Sequence, residues 1–152
     1  YIFKEYSLDE IIRSSVEKFA GEFIDRKLTL NYEPVNHKVI SDEKWLSFVV
    51  EQIISNALKY TKEGSITICM SQNDELLITD TGIGIQPEDL PRIFEKGYTG
   101  KNGRSDKSAS GLGLYLCKCI CANLNIDISA TSVICQGTTV KLQFPENGLT
   151  KM

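Results

Sequence analysis

Several features are scarce in this 152-residue sequence, and each scarcity excludes a class of protein. No apolar run approaches the roughly 20 residues that a membrane-spanning helix needs. No signal peptide opens the chain. The formal net charge is only −3, so the overall charge gives no general case for binding nucleic acid or an anionic membrane. What remains is a composition ordinary for one globular domain, residues 1–152, with 41% hydrophobic and 24% charged residues.

The sequence contains a single histidine, His37, and five cysteines. An odd number of cysteines without a secretory signal favours reduced thiols in the cytoplasm. Cys117, Cys119 and Cys121 alternate, but they fall in a helical pattern in which only the first and last share a face. No histidine lies near them and the usual zinc spacings are missing. We therefore interpret the thiols as buried or incidental rather than as metal ligands.

The apolar periodicity predicts an order of helix, two strands, long helix, hairpin, loop, helix and hairpin. Ser7 and Glu10 form a capping-box pattern before the first helix, which extends to about Phe23. The other predicted elements are strands at 27–33 and 37–40, a helix at 43–60 capped by Ser41 or Asp42, strands at 65–70 and 75–79, a turn from Pro87, a loop at 97–110, a helix at 112–124 and strands at 126–134 and 138–144. This order differs from a regular βαβ alternation. It predicts a two-layer α/β (α+β) sandwich, a mixed and mostly antiparallel sheet covered on one face by about three helices.

A carboxylate followed by two glycines stands at the end of the predicted 75–79 strand. In Asp80-Thr81-Gly82-Ile83-Gly84-Ile85, the glycines allow a tight turn or the close approach of a ligand. A second polar set lies on the 43–60 helix, where Gln52, Asn56, Lys59 and Tyr60 share one face beside an apolar stripe. Taken alone, Asn56 is better explained by a satisfied core amide and Tyr60 by an ordinary half-buried aromatic, and many loops contain an acidic-glycine turn.

The start of the 112–124 helix offers a place for an anion. Gly111-Leu112-Gly113-Leu114 opens that helix, and free N–H groups at a helix start bind phosphate when glycines admit it to the backbone. The preceding loop is basic and contains Lys101 and Arg104, which could neutralise a polyphosphate. Together, a carboxylate that accepts from an amino group, an amide that can hold Mg²⁺ and a basic loop before a glycine-opened helix are the parts of a nucleotide site.

The ordered motifs resemble the N, G1, F and G2 boxes of sensor histidine kinases. The N box is Asn56-Ala57-Leu58-Lys59-Tyr60-Thr61, the G1 box is 80–85, the F box is 92–98 and the G2 box is 111–114, followed by Gly137-Thr138-Thr139-Val140. The F and G2 wording is similar to kinases of the bacitracin-resistance, intramembrane-sensing type. The resemblance implies the Bergerat (GHKL) fold, with ATP and Mg²⁺ as cofactors.

The resemblance also implies a role for each matching position. Asp80 would accept from the adenine amino group, supported by Thr138, and Gly82, Gly84 and Ile85 would shape the base pocket. Asn56 would hold Mg²⁺, and Lys59 and Tyr60 would contact phosphate and adenine. Residues 97–110 would be a lid over ATP. Phe94 and Tyr98 would anchor its base, Lys101 and Arg104 would lie in it, and the phosphates would meet the G2 residues Gly111, Leu112, Gly113 and Leu114.

Two absences shape the expected mechanism. Kinases of this family phosphorylate a histidine on a separate dimerising helix, and His37, in a short strand before the N box, does not fit that acceptor. Relatives that hydrolyse ATP, such as gyrase and the heat-shock-90 chaperones, carry a glutamate four residues before the N-box asparagine. Here that residue is Gln52, with Glu51 rotated away by about 100° on a helix. Because an amide cannot serve as a general base, an ATPase is disfavoured.

The first residue is Tyr rather than Met, so we expect a piece of a longer protein. Residues 1–6 would be a linker from a missing phosphoacceptor domain, and 145–152 a polar tail. The expected partners are that histidine-bearing dimerisation domain and a response regulator, with a cytoplasmic location in a membrane-anchored parent and a monomeric isolated fragment. The alternatives are a free-standing anti-sigma-type serine kinase, which Gln52 and the Lys59-Tyr60 pair disfavour, and a degenerate nucleotide-binding or interaction module.

Overall fold

A computed structural model describes residues 1–99 and 112–145. The strands are β1 (Lys4–Ser7), β2 (Thr29–Tyr32), β3 (Lys38–Ser41), β4 (Ser65–Met70), β5 (Glu75–Asp80), β6 (Asp127–Val133) and β7 (Gly137–Gln143). The helices are α1 (Leu8–Glu17), α2 (Ala20–Asp25), α3 (Glu43–Tyr60) and α4 (Gly113–Asn123), with a 3₁₀ turn at Leu90–Arg92. None of the helices in these two ranges is long and apolar enough to cross a membrane.

The main sheet has five strands in the order β2-β4-β5-β7-β6. The β2–β4 pair is parallel, and the other three pairs are antiparallel. Alternate residues of the central strands are buried beneath the helices, because successive side chains of a strand point to opposite faces. Ile66, Ile68, Leu76 and Ile78 are at most 1% exposed. The predicted fold class, a mixed sheet with about three covering helices, is confirmed.

The other face of the sheet carries a polar row. Register places five residues directly opposite one another across all five strands: Asn31, Thr67, Thr79, Thr139 and Thr131. The Thr79 and Thr139 hydroxyls lie 3.0 Å apart, within hydrogen-bonding distance. This alternation, apolar beneath the helices and polar opposite, is typical of a sheet covered on one side.

Helix α3 forms the centre of the helical layer, and its predicted bounds are confirmed. Asp42 caps it, because its Oδ1 accepts a hydrogen bond from the Trp45 amide at 3.0 Å. A buried stripe runs along its length: Leu46, Val49, Val50, Ile53, Ile54, Ala57 and Leu58. The polar N-box residues therefore lie at the edge of a helix that the core holds firmly in place.

The N-terminal region differs from the sequence prediction in two ways. The single helix predicted from Ser7 to Phe23 is wrong, because the chain turns at Lys18 and Phe19 with i→i−3 hydrogen bonds and starts a second short helix. The break brings both Phe19 and Phe23 against the core. Strand β1, which pairs antiparallel with β3, was not predicted within the residues assigned to a linker. The Ser7 cap is confirmed, since its Oγ accepts from the Glu10 amide at 3.4 Å.

Candidate nucleotide-binding site

Asp80 ends strand β5, and its carboxylate is held by the backbone on two sides. Its Oδ1 accepts hydrogen bonds from the Gly82 amide at 2.9 Å and from the Thr138 amide at 3.2 Å. The side chain is buried, with 8% exposure. Burial raises the pKa of Asp80 above its ordinary value, and the two amide bonds oppose that rise. Within the described ranges, Oδ2 makes no hydrogen bond, so one carboxylate oxygen is available to a ligand.

The two glycines of the G1 turn are required by close backbone contacts. A Cβ at position 82 would overlap the Tyr60 carbonyl oxygen and lie 2.8 Å from Thr61 Oγ1. Gly84 has φ +76°, and a Cβ there would overlap the Val133 carbonyl. Ile83 donates its amide to the Tyr60 carbonyl at 3.1 Å. The turn is therefore packed directly against Tyr60, the last residue of helix α3, which lies one helical turn from Asn56.

Thr138 and Ile85 meet at a residue that sequence reasoning missed, Ser132 on β6. The Ser132 hydroxyl accepts a hydrogen bond from the Ile85 amide at 2.8 Å. It also lies 2.9 Å from the Thr138 hydroxyl and 3.0 Å from the Gly137 carbonyl, to which it donates. Gly137 has φ +128°, and a Cβ there would overlap the Asp80 carbonyl. The start of β7 can therefore pack closely against Asp80 only because residue 137 is glycine.

The polar face of α3 is partly exposed along its second half. Gln52, Asn56, Lys59 and Tyr60 are all half-buried. The Lys59 ammonium lies 5.5 Å from the centre of the Tyr60 ring, within cation–π range. The Asn56 carboxamide makes no hydrogen bond with residues 1–99 or 112–145. A satisfied core amide is therefore not what this structure places at position 56, since a buried amide would need partners.

Gln52 and Glu51 point in different directions, as their separation of about 100° on a helix predicts. Glu51 forms an ion pair with Lys18, with 2.8 Å between Oε2 and Nζ. Gln52 instead faces the first residue of α4, because a Cβ on Gly113 would lie 2.7 Å from Gln52 Oε1. The carboxylate of Glu51 is thus directed to α1, and the residue beside the G2 helix is an amide.

The first turn of α4 lies next to Gln52 of α3. Leu112 is the N-cap residue, and its side chain cannot accept a hydrogen bond from the first helical amides. Gly113 and Leu114 are half-buried, whereas Leu112 is 39% exposed. The predicted contact residues Gly111, Lys101 and Arg104 lie outside the described residues, as does most of the predicted 97–110 lid.

The F-box aromatics lie on the segment that precedes residue 100. Phe94 packs against the core, and the Lys118 ammonium lies 5.7 Å from its ring centre. Tyr98 donates its hydroxyl proton to the Asp89 carboxylate, and the Arg92 guanidinium lies 4.3 Å from the centre of its ring. Both aromatics are therefore fixed to described parts of the domain. Their proposed role at the base of a lid stays a prediction.

These contacts bring together residues from four separate stretches of the sequence. Gly82 touches Tyr60, Gly113 touches Gln52, and Thr138 bonds to Asp80. Asn56 lies one turn from both Gln52 and Tyr60 on the same helix face. An open cavity of about 220 Å³ at this end of the sheet is lined by Asp80, Ser132 and Thr138 together with Thr79, Thr131 and Thr139 of the polar row, and by no residue of α3. That cavity alone does not unite the predicted site; the glycine contacts do.

The sequence analysis gave no role to Thr61 or Ser132. Thr61 is fully buried, and its hydroxyl, which lies next to Gly82, has no hydrogen-bond partner among the described residues. Its position within the N-box motif was the available signal. Ser132 gave no signal, because a serine in a predicted strand has no distinctive spacing. His37, which the sequence analysis set aside as an acceptor, lies just before β3 with its ring centre 6.4 Å from that of Phe144. Its Nε2 is buried and has no hydrogen-bond partner within residues 1–99 and 112–145.

Of the five cysteines, Cys135 lies beside the G1 turn, because its backbone amide donates to the Ile83 carbonyl at 2.8 Å. Cys117 and Cys121 are buried on one face of α4, and Cys119 is exposed. Burial raises the pKa of each buried thiol to about 12. Among residues 1–99 and 112–145, no group of three or more histidine, cysteine, aspartate or glutamate side chains is arranged to hold a metal ion.

The comparison with protein families decides what kind of domain this is. Residues 41–148 match the family described as "Histidine kinase-, DNA gyrase B-, and HSP90-like ATPase". The chain belongs to this family. The match starts at the end of β3 and includes α3, the G1 turn, α4 and the last two strands, so it covers the whole candidate site.

Within the family, the chain is homologous to sensor kinases. It is 35% identical over 146 residues to the sensor protein BceS of Halalkalibacterium halodurans, an alignment that covers 94% of this chain and 44% of BceS. It is 43% identical over 114 residues to the sensor protein kinase GraS of Staphylococcus aureus, covering 73% of this chain and 33% of GraS. The chain therefore spans less than half the length of these relatives.

Solved structures support the fold at lower sequence identity. The mycobacterial sensor histidine kinase MprB superposes with a TM-score of 0.81 at 23% identity, covering 95% of this chain and 97% of that one. The catalytic domain of histidine kinase ThkA gives a TM-score of 0.81 at 21% identity, covering 96% and 99%. Full-length ShkA, solved in complex with AMPPNP, gives 0.80 at 21% identity and is covered to 31%. The chain thus has the fold of histidine kinase catalytic domains.

Proposed function

We propose that this chain is the ATP-binding catalytic domain of a sensor histidine kinase of the bacitracin-sensing type. In this proposal it binds Mg-ATP and donates the γ-phosphoryl group to a histidine on a dimerisation domain outside the chain. The observation that carries the proposal is the packing of the Asp80–Ile85 turn against the end of α3. That packing places the turn after Asp80 against Tyr60, one helical turn from Asn56. Within the described residues, neither Asp80 Oδ2 nor the Asn56 carboxamide makes a hydrogen bond.

The residues present fit an adenine nucleotide. Asp80 Oδ2 is an acceptor that makes no hydrogen bond to residues 1–99 or 112–145, which suits an exocyclic amino group. Gly82 and Gly84 let the turn that follows Asp80 pack directly against the Tyr60 and Val133 carbonyls. The buried Thr61 hydroxyl beside Gly82 is another polar atom that lacks a partner in the part of the chain that the structure describes. Tyr60, at the meeting point of the turn and the helix, would contact the base.

The residues on α3 and α4 fit the phosphates and their metal. Asn56 would hold Mg²⁺ through its carboxamide oxygen, a ligand type that this hard cation accepts. Lys59 would contact phosphate with its ammonium group. The amides at the start of α4 would receive phosphate oxygens, with Gly113 allowing close approach. Mg²⁺ supplies neutralisation of the charge that develops on the transferred group.

The transfer needs positioning more than covalent assistance from this chain. The bond between the γ-phosphorus and the oxygen bridging to ADP breaks, a bond from phosphorus to an imidazole nitrogen forms, and ADP leaves. Gln52, beside Gly113, cannot accept a proton from water, and Glu51 is ion-paired to Lys18. The chain therefore favours transfer to an incoming histidine over hydrolysis.

The wider setting follows from the same proposal. The parent protein would carry a membrane-bound sensor with this domain in the cytoplasm, and a response regulator would take the phosphoryl group from the phosphohistidine. The coverage of less than half of BceS and GraS leaves room for the sensor and dimerisation regions in the parent chain.

The test is phosphoryl transfer from Mg-ATP labelled at the γ-phosphate to a separately purified histidine-bearing helical dimerisation domain of the parent protein. We expect label on that domain in an acid-labile form, as a phosphorus–nitrogen bond requires. Replacement of its acceptor histidine by alanine should remove the label. Acid-stable label on serine would overturn the proposal in favour of a serine kinase. Calorimetry that shows no Mg-ADP binding by folded protein would overturn both.

A further inference from the structure

The Ser132 hydroxyl connects the G1 turn to strands β6 and β7 through hydrogen bonds, beside Asp80, where the base is proposed to bind. It belongs to β6, which forms the edge of the sheet and contributes none of the motif residues. Its hydroxyl accepts from the Ile85 amide at 2.8 Å, which fixes the end of the G1 turn. The same oxygen lies 3.0 Å from the Gly137 carbonyl and 2.9 Å from the Thr138 hydroxyl.

The direction of these hydrogen bonds follows from counting protons. A serine hydroxyl has one proton to donate and two lone pairs that accept. A carbonyl oxygen can only accept, so Ser132 donates its single proton to Gly137. Its lone pairs then receive the Ile85 amide proton and the Thr138 hydroxyl proton. All three contacts are satisfied at once only in this arrangement.

This arrangement fixes the orientation of the Thr138 hydroxyl. With its own proton directed to Ser132, its hydroxyl offers only lone pairs to anything else that approaches. Thr138 also stands beside Asp80, because its amide donates to Asp80 Oδ1 at 3.2 Å. Asp80 Oδ2 makes no hydrogen bond within the described ranges. A ligand that reaches this point therefore meets two acceptors, the carboxylate oxygen Oδ2 and the Thr138 hydroxyl.

We propose that Ser132 is a positioning residue of the nucleotide site that sets base specificity by orienting the Thr138 hydroxyl and fixing the Ile85 amide. This inference rests on the proposed function, since it takes the base to be bound beside Asp80. An adenine edge presents an amino group with two protons, which suits a pair of acceptors. A hypoxanthine edge presents a carbonyl oxygen at the same place, and its one nearby proton, on N1, can serve only one of the two acceptors.

Removal of the Ser132 hydroxyl should weaken adenine binding and relax this discrimination. In Ser132→Ala the Thr138 hydroxyl is free to rotate and to donate to a carbonyl, while the Ile85 amide loses its acceptor. We expect the affinity for Mg-ADP to fall by roughly tenfold, about the effect of losing one or two neutral hydrogen bonds. The affinity for Mg-IDP should fall less, so the ratio of the two affinities decreases.

The experiment is calorimetric titration of four proteins with Mg-ADP and with Mg-IDP: wild type, Ser132→Ala, Ser132→Thr and Ser129→Ala. Ser132→Thr keeps the hydroxyl and should retain the wild-type ratio. Ser129 lies on the same strand but points to the opposite face and is exposed, so Ser129→Ala is the matched control. Amide hydrogen exchange at Ile85, measured without nucleotide, should be faster in Ser132→Ala alone.

The possible results separate the two claims. Wild-type ADP affinity in Ser132→Ala overturns the inference, as does an equal loss for ADP and IDP, which indicates a merely structural role. Failure of Ser132→Thr to rescue the ratio also counts against it. If wild-type protein binds neither nucleotide, the proposed function fails and the specificity claim fails with it. Unchanged exchange at Ile85 would then overturn the positioning claim as well.

Discussion

The candidate site has two ends that are built in different ways: a proposed adenine end around Asp80 and Thr138, and a proposed phosphate end around Asn56 and the start of α4. At the adenine end, the polar groups are tied to one another, since Asp80 Oδ1 receives two backbone amides and Ser132 links Ile85, Gly137 and Thr138. At the phosphate end, the Asn56 carboxamide has no hydrogen bond within the described ranges. The helix that begins beside Gln52 has a leucine at its N-cap.

This difference indicates how the two ends recognise their proposed ligands, the base at one end and the phosphates with Mg²⁺ at the other. A base is recognised by the pattern of its donors and acceptors, and such a pattern must be fixed before binding if it is to discriminate. Phosphates and Mg²⁺ are recognised by charge and by oxygen ligands, which can be arranged around the ion when it arrives. We therefore expect mutations at the adenine end to change affinity, and those at the phosphate end to change the rate of transfer more than affinity.

The largest expected effect comes from Asn56→Ala. Loss of the proposed Mg²⁺ ligand should reduce phosphoryl transfer to the histidine domain by about 100-fold or more, because charge neutralisation by the metal is worth several kcal/mol. Binding of ADP without Mg²⁺ should change little. The measurement is single-turnover transfer alongside calorimetry with and without the metal.

Stability provides the control for that variant. Alanine has a higher helix propensity than asparagine by up to about 0.7 kcal/mol, and Asn56 makes no hydrogen bond to lose in the described structure. Thermal unfolding should therefore occur at the same temperature or slightly higher. Ser55→Ala, an exposed position next to it on α3, should leave transfer unchanged. Equal transfer rates in Asn56→Ala and wild type would contradict the assignment.

Asp80→Asn should have the next largest effect, on affinity. The asparagine Oδ1 can still accept from the Gly82 and Thr138 amides, so the fold should remain intact. Its other terminal atom is an NH₂ donor that opposes the adenine amino group. A hydrogen bond to a charged group contributes about 1.5–3 kcal/mol, so Mg-ADP should bind about 10- to 100-fold more weakly. Calorimetry measures this loss, and Asp127→Asn, on the exposed edge strand, is the control.

The pH dependence of binding should report on the same carboxylate. Because burial raises the pKa of Asp80, it protonates at a pH above the ordinary 3.8 for aspartate. Protonation removes the acceptor, so ADP affinity should fall as the pH is lowered toward the raised pKa. The free energy of unfolding changes in the opposite direction. Because the folded state binds this proton more tightly than the unfolded state, Asp80 adds stability as the pH is lowered toward the raised pKa, and this contribution is lost as the pH rises. The Asp80→Asn variant should lack this acid loss of affinity, apart from the part that comes from the nucleotide's own phosphates.

The residues of the candidate site that form local sequence motifs could be predicted from the sequence. Asp80, Gly82 and Asn56 were predicted from the residue types and their order along the chain. The packing of Gly82 on Tyr60 and of Gly113 on Gln52 agrees with that assignment. The roles of these residues toward ATP stay predictions. The sequence motifs are visible because each is a local run with glycines or a carboxylate at a fixed spacing.

Ser132 and the break between α1 and α2 were missed for different physical reasons. The role of Ser132 arises from β6–β7 register and from a turn 47 residues away, so no local pattern encodes it. The helix break occurs where apolar spacing continues through Phe19 and Phe23, and tertiary packing rather than periodicity decides the path of the chain. Strand β1 is four residues long and depends on its partner β3, which a short alternating pattern does not reveal.

The smallest effect should come from Gly113→Ala, which tests whether the contact between the two helices limits the phosphate end. The new Cβ would lie 2.7 Å from Gln52 Oε1, the end of a flexible side chain that can move aside. We expect Mg-ADP affinity to fall only a few-fold. Alanine within a helix is favoured over glycine by about 0.5–1 kcal/mol, so stability should not decrease much. Combining it with Gln52→Ala removes the clash and should restore affinity to that of Gln52→Ala alone. If the double variant stays weaker than Gln52→Ala, the glycine is needed for the approach of phosphate to the α4 backbone, and not for the helix contact.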